Sequence, residues 1–237
     1  MSKIVGIAFD FDGTLVQSNE IKRETYYLVA KEAGCPSRIV DKVLADDPRG
    51  DRHRLIRTMA TEMGSQSLLE SGILPENLAH DITARYSELC ELAIASCPEV
   101  EGASEALREL RNRNIGVFLN SATPKNYLES VVQHRSFVGE VSGIFGAPAS
   151  KVDNIDAIVS GLKCTADEIM VVGDGQDDLE AARATGCYFV GIRGGSGGFA
   201  KEAFPIVTDL LQLLPLIEGL DDRWSLAPLA TNTEFQK

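Results

Sequence analysis

Two aspartates two residues apart, Asp10 and Asp12, follow directly on a short apolar run from Ile4 to Phe9. The end of a buried strand is a costly place for two carboxylates, because like charges in a low dielectric repel unless a cation or a proton comes between them. A second acidic group follows a second apolar run, Ile169 to Val172, and reads Gly173-Asp174-Gly175-Gln176-Asp177-Asp178. In a parallel sheet the two strand ends lie at one edge, so Asp174 can reach the same ion as Asp10. Glycines on both sides of Asp174 let the backbone turn sharply there. Ligands that are all oxygens suit a hard divalent cation, and magnesium is the expected one.

The elements that must carry these groups follow from the apolar pattern. Ile4 to Phe9, Ile115 to Leu119, Gly143 to Phe145, Ile169 to Val172 and Tyr188 to Ile192 read as buried parallel strands. Ser104 to Arg111, Pro124 to His134, Val152 to Leu162 and Asp177 to Thr185 have apolar positions three and four apart and read as helices, with Pro124 suited to a first turn and Gly186 to a C-terminal stop. Strands alternating with helices predict an α/β fold with a Rossmann-like, doubly wound parallel sheet. Residues 17–96 break the rhythm and are almost wholly helical in pattern, with Glu20 to Ala33, Arg54 to Met63 and Asp81 to Ala95 the clearer segments. The expected organisation is a core of residues 1–16 and 97–220, an inserted all-helical module of residues 17–96, and a surface tail of residues 221–237.

Two further residues complete an ordered set: Ser121, at the end of Val117-Phe118-Leu119-Asn120-Ser121, and Lys151, ahead of the second acidic group. With Asp10 to Thr14 as D-x-D-G-T and Gly173 to Asp178 as G-D-x-x-x-D, the chain resembles the haloacid dehalogenase-like hydrolase superfamily. The resemblance spans about residues 4–217 and is to the type with a helical cap inserted after the first motif, as in phosphoglycolate phosphatases and beta-phosphoglucomutases. It implies that Asp10 attacks phosphorus to form an aspartyl phosphate. Asp12 would protonate the leaving oxygen and later take a proton from water. Magnesium would be held by Asp10, Asp174 and the backbone carbonyl of Asp12. Ser121 and Lys151 would bind the phosphoryl group together with backbone N–H groups near Phe11, Asp12 and Ala122. Asp178 and Asp177 would orient Lys151 or a metal-bound water.

The same resemblance implies a phosphomonoester hydrolase acting on a small phosphorylated metabolite, a sugar phosphate or a phosphoglycolate-like compound. A phosphomutase is the alternative, since it uses the same core, and a noncatalytic phospho-receiver is a weaker one, since receivers have no helical insertion. Relatives that cleave carbon–halogen or carbon–phosphorus bonds lack the second aspartate of the first motif, whereas Asp12 is present. In the cap, Lys22 lies one turn into the first helix. Arg49, Arg52 and His53 sit in the charged stretch Asp46 to Arg54, which reads as a turn between helices. These four residues are the candidates for reading the substrate.

Bulk properties exclude other classes. The chain of 237 residues has a formal net charge of −12, which argues against a nucleic-acid partner, and it has no run of about 20 apolar residues that would span a membrane. Five cysteines without C-x-x-C spacing indicate neither a disulfide framework nor a zinc site. A cytoplasmic monomer or small homo-oligomer is expected. Gly195, Gly197 and Ala200 imitate a dinucleotide fingerprint, but Pro205 cuts short the helix that should follow.

Overall fold

The computed structural model describes residues 4–48, 50–67, 72–193, 199 and 204–219. They divide into two compact units, one formed by the chain up to Asn19 and from Cys97 onward, the other by Glu20–Ser96.

The first unit is built on a parallel six-stranded sheet of β1 (Gly6–Phe9), β2 (Gly116–Pro124), β3 (Gly143–Ala147), β4 (Ile169–Gly173), β5 (Tyr188–Ile192) and β6 (Ile206–Val207), in the order β3-β2-β1-β4-β5-β6. Both faces are buried, as the continuous apolar runs require. Ala8, Phe118, Val171 and Phe189 pack on one face with residues of two helices, Lys151–Leu162 and Gln176–Thr185, namely Ile155, Ile158, Leu179, Ala181 and Ala182. The alternate residues Ile7, Phe9, Val117, Leu119, Met170 and Val172 are buried as well.

The chain winds from β1 outward to β3, then crosses back to place β4 on the other side of β1. That reversal between β1 and β4 is where open α/β sheets leave a crevice for ligands. Phe9 is in register with Val172, and Asp10 N donates to Val172 O at 2.8 Å, so the residues that follow both strands emerge side by side.

Nine α-helices are described: α1 (Asn19–Glu32), α2 (Ser37–Asp46), α3 (Arg52–Ser65), α4 (Pro75–Ala95), α5 (Ala103–Asn112), α6 (Lys125–Val132), α7 (Lys151–Leu162), α8 (Gln176–Thr185) and α9 (Leu213–Gly219). All of α2 to α4, and α1 beyond its first residue, form the second unit. Its core contains Val29, Val40, Ile56, Met59, Met63, Ile82 and Ile94, with Tyr26 stacked on Tyr86 at 4.4 Å. The two connections to this unit pair on the core side. Gln17 N donates to Pro98 O, Val100 N donates to Leu15 O (both 2.9 Å), and Gln17 Nε2 donates to Glu99 O at 3.0 Å.

Several elements differ from the sequence reading. β2 does not stop at Leu119 but runs to Pro124, taking Asn120, Ser121 and Thr123 into the buried strand. Pro124 therefore sits at the N-cap of α6 and not within its first turn. α2, α9 and the two-residue β6 are not among the elements read from the pattern. The segment Asp46 to Arg54 is only partly a turn: Asp51 caps α3 by accepting from His53 N and Arg54 N, so Arg52 and His53 belong to that helix. The fingerprint-like residues 194–198 and 200, the tail 221–237 and Arg49 lie outside the described residues.

Ile155 joins α7 to the sheet from a fully buried position. Ile155→Ala is expected to lower unfolding free energy by about 2–5 kcal/mol, seen as an earlier urea midpoint with an unchanged slope.

Candidate active site

Asp10 and Asp174 stand at the C-terminal ends of the adjacent strands β1 and β4, and Asp178 reaches back from the first turn of α8. One carboxylate oxygen from each of Asp10, Asp174 and Asp178 lies within 4.8 Å of the others. Gly173 has no side chain because the Asp178 carboxylate fills the space where a Cβ would stand. Asp178 Oδ2 also accepts from Gly175 N at 3.2 Å, and the helix N-terminus favours negative charge there.

Lys151 is the cation of this cluster. It opens α7, where Ser150 and Asp153 form a reciprocal cap: Asp153 N donates to Ser150 Oγ at 3.1 Å, and Ser150 N to Asp153 Oδ2 at 3.2 Å. Its carbonyl accepts from Asn120 Nδ2 at 3.0 Å, and Asn120 Oδ1 accepts from Asn154 Nδ2 at 3.0 Å, so the end of β2 is tied to the first turn of α7. An ammonium at a helix N-terminus opposes the macrodipole. Here Nζ is 2.7 Å from Asp177, 2.7 Å from Asp178 and 3.2 Å from Asp10. Burial disfavours the charge of Lys151, but Asp10, Asp178 and Asp177 outweigh it and hold its pKa above the usual value.

The carboxylates respond unequally. Burial raises the Asp10 pKa well above the ordinary range against the pull of Lys151, and Asp178, Asp174 and Asp12 add to the rise. Burial also raises Asp174, opposed by a hydrogen bond from Asn19. Asp178 is pushed up to about 6 by burial, against the pull of Lys151. Asp177 alone is lowered: burial raises it, but the charge and hydrogen bond of Lys151 prevail. Its side chain is 61% exposed, so the lowering has little weight for stability. Four acidic groups around one ammonium leave the cluster negative, and an oxygen-only donor set with raised pKa values fits a hard divalent cation.

Two hydroxyls fix the Asp12 carboxylate. Ser18 Oγ donates to its Oδ1 at 2.6 Å and Thr123 Oγ1 to its Oδ2 at 3.0 Å. Ser121 is buried, and its Oγ accepts from Thr123 N at 3.1 Å. Phe11 is buried and its carbonyl accepts from Leu15 N and Val16 N, while Ala122 is exposed. The core thus gathers Asp10, Asp12, Asp174, Asp177, Asp178, Ser121 and Lys151 on β1, β2, β4 and the starts of α7 and α8. Of the remaining sequence candidates, Lys22, Arg52 and His53 belong to the helical unit, where Arg52 Nη1 donates to Ser87 Oγ at 3.3 Å and Tyr86 Oη to the Lys22 carbonyl at 3.3 Å.

Ser18, Asn19, Asn120 and Thr123 escaped the sequence reading. Ser18-Asn19 ahead of a helical segment looks like ordinary N-cap chemistry, and Thr123 is signalled only by alternation with Ser121 along a strand that runs further than its apolar part.

The raised Asp178 pKa carries a pH signature. Its folded value of about 6 lies above the ordinary 3.8, so between those values the folded state binds more protons than the unfolded one. The cost of burying its charge is complete above about pH 6 and is relieved as pH falls toward 4. Metal-free Asp178→Asn is therefore expected to gain less melting temperature than the parent on going from pH 7 to pH 5, by calorimetry.

Among the described residues no helix is long and apolar enough to cross a membrane. No curated protein matches the sequence. Among solved structures, the fold is similar to that of a predicted phosphoglycolate phosphatase from Haemophilus somnus, with TM-score 0.76, 19% identity, 91% of this chain and 99% of that one covered. It is also similar to a haloacid dehalogenase-like family hydrolase from Streptococcus pneumoniae (TM-score 0.67, 19% identity, 91% and 99% covered) and to a predicted phosphatase from Clostridium acetobutylicum (TM-score 0.63, 18% identity, 92% and 99% covered). A family model for haloacid dehalogenase-like hydrolases matches residues 4–186. With that match over most of its length, the chain belongs to the haloacid dehalogenase-like hydrolase family.

Proposed function

We propose that this hydrolase is a magnesium-dependent phosphomonoesterase that works through an aspartyl phosphate on Asp10. The observation that carries the reading is the cluster at the ends of β1 and β4, in which Asp10 has Asp174 and Asp178 within ligand-sharing distance and Lys151 at 3.2 Å. The ion would be held by the carboxylates of Asp10 and Asp174 and the backbone carbonyl of Asp12, with Asp178 close by; when bound, it supplies the positive charge that lets an anionic phosphoryl group approach these acids.

Asp10 attacks phosphorus with a carboxylate oxygen; the new O–P bond forms as the bond to the leaving oxygen breaks. Asp12 gives that oxygen its proton. A water then attacks the acyl phosphate and passes a proton back to Asp12, which releases phosphate and restores Asp10. The hydrogen bonds from Ser18 and Thr123 support this role by fixing where the Asp12 carboxyl points. Lys151 balances charge on Asp10 and on the phosphoryl oxygens. Ser121 accepts from Thr123 N, which frees its own proton for a phosphoryl oxygen. Backbone N–H groups at Phe11, Asp12 and Ala122 complete the anion site, and Asp177 and Asp178 orient Lys151.

The substrate in this reading is a small phosphorylated metabolite, a sugar phosphate or phosphoglycolate-like compound, in keeping with the phosphatase names of two of the similar structures. Lys22, Arg52 and His53, with Arg49, are the groups proposed to read the part of the substrate beyond its phosphate.

Magnesium-supported p-nitrophenyl phosphate hydrolysis should continue through many turnovers, and Asp10→Asn should lower kcat by about four orders of magnitude or more with an unchanged circular dichroism spectrum. Appreciable residual turnover would refute the covalent route, and a single stoichiometric burst would point to a receiver. In a screen of phosphorylated metabolites, Arg52→Ala should raise KM for the best substrate about tenfold and leave the nitrophenyl ester nearly unaffected. Equal effects on both would remove the specificity role.

A further inference from the structure

Asn19 is the last residue of the core unit and the first of α1. A helix start explains its backbone but not its side chain, whose Nδ2 donates to Asp174 Oδ2 at 2.7 Å across 155 positions of sequence. The path between them is open only because Gly13 lies in it. A Cβ on Gly13 would run into both the Asn19 amide and the Asp174 carboxylate, and its φ of +80° is one that residues with side chains rarely adopt. Ser18 immediately before it holds Asp12. Two consecutive side chains where the chain leaves the core thus each take a different carboxylate of the site.

We propose that Asn19 is a positioning residue for Asp174, fixing the carboxylate in the orientation that binds the divalent cation and so setting the affinity of the site. The inference rests on the metal reading above. The terminal torsion of an aspartate has no strong preference of its own, so a hydrogen bond to one oxygen decides where the other points. The chemistry of the donor fits. Asp10 and Asp178 are ion-paired to Lys151, and a further ammonium or guanidinium on Asp174 would compete with the cation. An amide orients the carboxylate and leaves its charge available. Losing such a partner of a metal ligand costs about 10–100-fold in metal affinity.

Manganese, which is paramagnetic and accepts oxygen ligands as magnesium does, is the probe. The metal-free full-length protein is titrated with it, and the free ion is followed by electron paramagnetic resonance in the parent, Asn19→Leu, Asn19→Ala and Asp174→Asn. Asn19→Leu keeps the branched shape and removes the donor; Asn19→Ala removes both and serves should the bulkier leucine disturb folding. Both should raise Kd about tenfold with the metal-free melting temperature nearly unchanged. A purely structural asparagine would instead lower that temperature and leave Kd alone. A Kd in both variants within about threefold of the parent overturns the proposal. If the parent binds no manganese, or Asp174→Asn binds it as tightly, the metal reading itself falls and this inference with it.

Discussion

Lys151 Nζ lies against Asp178, Asp177 and Asp10, and an ammonium in that position is tolerable only while its partners are charged and close. Removing one side of a buried ion pair typically costs about 3–5 kcal/mol, because the other side is left uncompensated. The carboxylates need Lys151 in the same way, since they also repel one another. The surrounding fold can be understood as what holds this arrangement in register. β1 and β4 bring Asp10 beside the turn that leads to Asp178, the Ser150–Asp153 cap fixes where α7 begins, and the Asn120 amide ties that first turn to β2.

One ammonium does not neutralise the group. Burial raises the pKa values of Asp10, Asp174 and Asp178 despite the pull of Lys151, and protons and a divalent cation are alternative ways of offsetting the charge of such carboxylates. The site is therefore strained in its charge more than in its backbone, and the strain is relieved by the kind of ligand that an anionic substrate requires alongside it.

Much of this was legible in the sequence because fully buried parallel strands announce themselves as unbroken apolar runs, and because acidic residues directly after such runs are hard to explain without a ligand. Legibility failed where polar residues carry structure. Asn120, Ser121 and Thr123 lengthen β2 beyond its apolar part, which no hydrophobic pattern can report. Arg52 and His53 looked like turn residues because charge dominates Asp46 to Arg54, yet Asp51 starts a helix among them. Ser18 and Asn19 resemble a routine cap, and only the three-dimensional path past Gly13 shows where their side chains go.

The hydrogen bonds among Leu15, Gln17, Pro98, Glu99 and Val100 make the entry and exit of the helical unit a paired neck on the core. Closing a chain into a loop costs entropy that grows only logarithmically with its length, and here the ends are already joined by groups belonging to the core. What lies beyond the neck is then constrained mainly to begin and end at neighbouring points. An insertion of different length or helix number could replace it without disturbing β1 or β4. The strand ends that carry the acidic cluster can stay fixed while the helical insertion is exchanged as a cassette.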